Sequence, residues 1–222
     1  MKTYDYKNDI KTCVKKAINE ALNIYINRLI NKYYDFGLEA TFQMHFAITL
    51  EEVLKTKTFS PTERYVVMPE KNFPIDGNKD YIDIAIQHTD KDKTEIFLIE
   101  LKYKKISDGA PNLGNIESYI DIYNLGRQLK NNQCDFSGAY FIFMTNNNAY
   151  LKQAPRGKTR NELPMHDNYT IEANRKYTVT NPAAKKKIFK YPQGFTFSKD
   201  YYIEYTQFNV QNTPYWYYML EI

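Results

Sequence analysis

Apolar residues recur every three to four positions across residues 8–33, at Ile10, Val14, Ile18, Ala21, Tyr25 and Leu29, which is the period of one helix face. The spacing predicts an amphipathic helix there, broken at Gly37. A second helix is expected over 38–55, with Phe42, Phe46, Leu50 and Val53 on its buried stripe and Glu39 and Gln43 bordering that stripe at the N-terminal end. After Ser60-Pro61 the pattern changes. Residues 64–68 read as a short strand and 72–79, with Pro74 and Asp76-Gly77, as a loop or turn. In 81–87, Ile82, Ile84 and Ile86 point one way while Asp83 and Ala85 point the other. The polar stretch 89–94 leads back into 95–103, which is apolar on both faces until Glu100 and Lys102. Those two share a face because they are two residues apart. The two strands are expected to form a hairpin.

Residues 109–114 read as a loop, 116–131 as a helix with Ile122, Leu125 and Leu129 in register, and 138–144 as a buried strand. Asp121, Asn124 and Gln128 fall together on the helix, where the pattern predicts a solvent-facing polar stripe. Periodicity then disappears from 150 to 194, with Pro155, Pro164, Pro182 and Pro192 interrupting it; so long a stretch without elements is usually functional or mobile. Strands at 201–208 and 215–222 are expected to close the chain. The fold class is therefore α/β with a mixed sheet. The 222 residues, 43% hydrophobic, are expected to form a single domain, 1–222, with a core at about 38–144, a basic loop region at 152–194 and C-terminal strands at 201–222.

Composition narrows the setting. No apolar run reaches the ~18 residues of a membrane span, and the N-terminus lacks a signal-peptide segment, so the expectation is a soluble, cytoplasmic protein with no membrane partner. Cys13 and Cys134 lack metal-ligand spacing and are read as reduced thiols. The net charge is only +4, but residues 152–190 carry Lys152, Arg156, Lys158, Arg160, Arg175, Lys176, Lys185, Lys186, Lys187 and Lys190 against Glu162, Asp167 and Glu172. The remainder is thus slightly acidic. Such asymmetry suits a chain with one face toward a polyanion, and equally a solvated lysine-rich loop. The 21 tyrosines offer stacking surfaces for unpaired bases, although a compositional bias toward Tyr, Lys, Asn and Ile explains them as well.

The chemistry concentrates in Tyr81-Ile82-Asp83-Ile84-Ala85-Ile86 and Phe97-Leu98-Ile99-Glu100-Leu101-Lys102. Charges within apolar strands cost several kcal/mol to desolvate unless they are paired or bind a cation. Two carboxylates, Asp83 and Glu100, with the Leu101 carbonyl, form an oxygen donor set of the kind magnesium accepts. Lys102 could hold or deprotonate an attacking water, or offset charge on a phosphate.

An acid on one strand followed by Glu-x-Lys on the next, here seventeen positions on, resembles the PD-(D/E)xK nuclease superfamily, the restriction-endonuclease-like fold. The expected element order over residues 38–144, αβββαβ, is similar to that family's core, preceded here by an N-terminal helix and followed by a C-terminal β elaboration. The resemblance implies a Mg2+-dependent endonuclease, with Mn2+ as substitute, hydrolysing DNA by a metal-activated water and leaving 5′-phosphates. It assigns Asp83, Glu100 and Leu101 to the metal, with Glu39 from the first core helix as a further acid, and Lys102 to the nucleophile. In that fold the later helix can touch the active site through a glutamine, here Gln128. Ile82 stands where the motif has proline, a residue that ligates nothing. Arg156, Lys158 and Arg160 are the candidates for phosphate contacts. A restriction-type role would further imply a homodimer.

Other chemistries leave no trace. There is no Walker loop and no GxSxG elbow, and His45, His88 and His166 lack zinc spacing. The rivals are a non-catalytic nucleic-acid-binding or interaction module that retains the fold, and an RNA-cleaving enzyme on the same core.

Overall fold

The first helix, α1 (Tyr6–Ile30), ends earlier than its apolar period suggests because Lys32 turns left-handed, with φ at 62°. The Tyr33 N–H then donates to the Arg28 carbonyl at 2.9 Å and the Lys32 N–H to that of Leu29 at 3.1 Å, the paired bonds of a Schellman cap. That position is normally glycine, so a reading that waits for Gly37 runs past the true end. The structure, a computed structural model, describes residues 6–34, 37–58, 60–74, 81–108, 111–131, 134–155, 159–180, 182–188 and 190–222.

The chain forms two compact units, Met1–Ile99 with Asn131–Ala139, and Glu100–Lys130 with Tyr140–Ile222. In the first, α1 packs against α2 (Glu39–Lys55), with the Tyr25 ring 4.9 Å from Phe42 and Arg28 donating to Thr49 at 2.9 Å and to Glu52 at 2.7 Å. The predicted meander follows as β1 (Glu63–Asn72), β2 (Tyr81–Asp90) and β3 (Lys93–Lys104), antiparallel throughout the described pairing. A two-residue turn at Lys91-Asp92, with Lys91 at φ 53°, closes the predicted hairpin by pairing Asp90 with Lys93. Ile82, Ile84 and Ile86 are buried, as the alternation requires.

The polar residue on that same face is His88. It is buried, with Nε2 3.1 Å from Glu63 on β1 and Nδ1 3.8 Å from Glu95 on β3, and Lys93 reaches Glu95 at 2.8 Å. Nε2 is within hydrogen-bond distance of Glu63 and so links β2 to β1, while Nδ1 faces Glu95 of β3 at a longer distance.

The second unit contains α3 (Pro111–Gln128), which begins earlier than predicted because Pro111 supplies a fixed φ at the first helical position. Gly114 lies inside this helix because a side chain there would collide with the Tyr150 hydroxyl. Then come β4 (Phe136–Thr145), the short α4 (Thr159–Glu162), β5 (Tyr169–Ile171), the short α5 (Pro182–Lys187), β6 (Tyr201–Ile203), β7 (Thr206–Val210) and β8 (Thr213–Glu221). The mixed sheet has the order β1-β2-β3-β4-β8-β7, and β5 and β6 make a separate pair. The expected strand 201–208 is therefore two. Between its halves the Tyr205 N–H donates to Asp167 at 2.9 Å, and Gln211-Asn212, both left-handed, form the two-residue turn into β8.

The aperiodic stretch is folded where it is described. Asn115 donates to the Leu163 carbonyl at 2.7 Å and the Tyr119 hydroxyl to that of Pro164 at 3.0 Å, so α3 holds this chain by its main-chain oxygens rather than by a repeating pattern. Leu163, Met165, Ile171, Tyr177, Phe195 and Phe197 are buried one by one. Tyrosines serve the same purpose. Burial pushes the Tyr119 and Tyr205 phenols up, which keeps both as neutral donors, and Tyr205 bonds the Met165 carbonyl at 3.2 Å. Both cysteines are free thiols, and among the described residues no helix is long and apolar enough to cross a membrane.

The left-handed Lys32 generates a stability prediction. Lys32→Gly should raise the unfolding free energy by about 0.5–1 kcal/mol, because glycine adopts positive φ without the Cβ clash. Urea denaturation checks it; an unchanged or lower midpoint would refute strain at this cap.

Candidate active site

In the first unit, Asp83 is half-buried on β2, following the alternation that buries its isoleucine neighbours. The Gln43 side chain, buried on α2, donates through Nε2 to the Asp83 main-chain carbonyl at 2.7 Å. Gln43 therefore links the N-terminal half of α2 to the backbone that carries the acid. Ile84, next to Asp83, pairs with Ile99, the neighbour of Glu100 on β3. Glu39 is the first residue of α2 and half-buried; a carboxylate there also opposes the positive end of the helix dipole. Glu70 lies on β1 between the pairs Pro69↔Ile84 and Lys71↔Ile82, which brings it level with Asp83, and its backbone is left-handed at φ 48°. Sequence reasoning did not single it out.

In the second unit, Glu100 is 9% exposed and precedes the fully buried Leu101. Lys102 follows on the same strand face, and its Nζ lies 3.1 Å from Asp121 Oδ2 on α3, with side-chain exposures of 13% and 19%. One step further, Lys104 Nζ meets Glu117 Oε2 at 2.7 Å. The match is geometric. Two residues along a strand advance about 6.6 Å, and four along a helix advance about 6 Å, so Lys102 and Lys104 meet Asp121 and Glu117 in step.

The polar stripe expected on α3 is corrected by this packing. Gln128 is 0% exposed. It lies three residues beyond buried Leu125, so it extends the apolar face of the helix instead of the solvated one. Asp121 and Asn124 are half-buried, Asp121 against Lys102 and Asn124 accepting from the Tyr191 hydroxyl at 2.9 Å.

Of the basic candidates, Arg156 and Lys158 lie outside the described residues. Arg160 is half-buried; its guanidinium donates to the Ala149 carbonyl and its N–H to Asn112 at 3.3 Å, so part of its donor capacity holds the chain's own backbone. Among the described residues, no group of three or more His, Cys, Asp or Glu side chains is arranged to hold a metal ion.

Comparison of the chain with models of known protein families, with curated proteins and with solved structures finds no match in any of the three.

The Gln43 bond carries a prediction for this site. Gln43→Ala should lower stability by about 1–3 kcal/mol, the cost of a lost bond to a partly buried carbonyl together with lost packing. Chemical denaturation measures it, and a variant as stable as the parent would show that the link does not support β2.

Proposed function

We propose that the protein is a magnesium-dependent deoxyribonuclease built on a restriction-endonuclease-like core. The observation that carries the reading is the charged face of β3: a carboxylate nearly withdrawn from water, with a lysine two residues on, in a strand whose other positions here are buried and apolar. The order α2-β1-β2-β3-α3-β4 supports it, since it is the order expected of that core.

Asp83, Glu100 and the Leu101 carbonyl are assigned to Mg2+, with Mn2+ as substitute and Glu39 assisting. The donor chemistry fits: all are hard oxygens, and two carboxylates with a carbonyl leave room for waters and substrate oxygens, as magnesium requires. The burial of Glu100 fits too, because a carboxylate held this far from water gains from a cation partner. A divalent cation there would neutralise the charge that grows on the phosphate during hydrolysis.

The chain's own residues do the remaining work. Lys102 directs its N–H groups at the attacking water or at the phosphate oxygens, offsetting negative charge there. Gln128, buried on the helix that also carries Asp121, is assigned to the same neighbourhood by the resemblance alone. Arg160, Arg156 and Lys158 are assigned to the phosphate backbone, which makes affinity fall steeply with salt.

Incubation with single-stranded, double-stranded and branched DNA in Mg2+, followed by end-mapping, should give products with 5′-phosphates. Asp83→Ala and Lys102→Ala should each reduce the rate by about 100-fold or more. Cleavage absent from every substrate, or undiminished in both variants, would refute the assignment.

A further inference from the structure

We infer that Asp121 is the positioning residue for Lys102, so that the hydrolytic site includes a further carboxylate that acts through the lysine and not through the metal. The inference rests on the nuclease reading above and adds to it a residue from α3. A strand lysine has four rotatable side-chain bonds and a compact ammonium, so by itself its Nζ is poorly directed. Here Nζ is held 3.1 Å from Asp121 Oδ2, and both side chains are mostly withdrawn from solvent. That ion pair holds the ammonium beside the carboxylate and so confines where its three N–H donors can reach.

The neighbouring pair shows that the contact is built in. Lys104 with Glu117 repeats the arrangement one step along, at 2.7 Å, so α3 presents carboxylates four residues apart to lysines two residues apart. The outer pair is the more exposed, with side chains 21% and 35% accessible. It sets the helix against the strand and provides an internal control. Asp121 faces the lysine of the Glu-x-Lys triplet, whereas Glu117 faces one outside it.

The test compares kcat, KM and Mn2+ binding by calorimetry across variants. Asp121→Asn, nearly isosteric, should lower kcat about tenfold or more, leave KM for DNA unchanged and bind Mn2+ with the parent's affinity. Asp121→Glu, which restores the carboxylate, should recover much of kcat. In a Lys102→Ala background, Asp121→Asn should cause no further loss, and Glu117→Gln should keep the parent's kcat. Parental kcat in Asp121→Asn, an equal loss in Glu117→Gln, a further loss in the Lys102→Ala background, or loss of Mn2+ binding would overturn the inference and leave the nuclease reading standing. A parent protein that neither cuts DNA nor binds Mn2+ would instead overturn the reading, and this inference with it.

Discussion

The cost of withdrawing charge from water governs β3. Glu100, Lys102 and Lys104 occupy alternate positions of a strand in which Leu98, Ile99 and Leu101 are fully buried. An uncompensated ion in such a place costs several kcal/mol, so the strand tolerates these residues only with partners at matched spacing. For the lysines α3 supplies them, because the advance of four helical residues nearly equals that of two strand residues. Toward the other end of the hairpin the same constraint is met differently. There the buried His88 lies between Glu63 and Glu95, bonding the first across to β1, while Lys93 of β3 pairs with the second. The two arrangements differ in what they leave for chemistry: one ties strand to strand, and the other presents an acid and an amine on one strand face.

Much of this was legible in the amino-acid order. The periods of α1 and α2, the alternation of β2, and the hairpin to β3 all follow from which positions are apolar, since each element buries one face. Boundaries failed where turn chemistry used unexpected residues. Lys32, Gln211 and Asn212 all adopt left-handed backbone, and of these only asparagine does so readily. The stretch after residue 150 was illegible for another reason. Its order comes from side chains of α3 bonding main-chain carbonyls at Leu163 and Pro164, an arrangement that imposes no period on the chain being held.

The candidate site divides in the same way. Asp83, Glu100 and Lys102 stood out because each interrupts an apolar pattern. Asp121 did not, since a helical period shows which residues share a face but not which strand that face meets. Gln128 misled for a related reason: a polar residue beside Asp121 and Asn124 reads as solvated, yet it sits three residues from Leu125 and is buried with it. Glu70 carries no pattern at all, and only the pairing of β1 with β2 brings it level with Asp83. Charge within a strand is thus readable from sequence, while the partner that compensates it is a property of the fold.

Glu100, the buried acid of the Glu-x-Lys triplet, is proposed to be held for a cation, and thermal unfolding with and without metal puts that proposal to the test. A ligand that binds only the folded state raises the melting temperature with concentration. Melting of the parent protein should rise steadily as Mn2+ is added, and Glu100→Gln, which keeps the shape and removes the charge, should show no rise. A parent protein indifferent to Mn2+, or a Glu100→Gln variant stabilised as much as the parent, would show that Glu100 holds no cation.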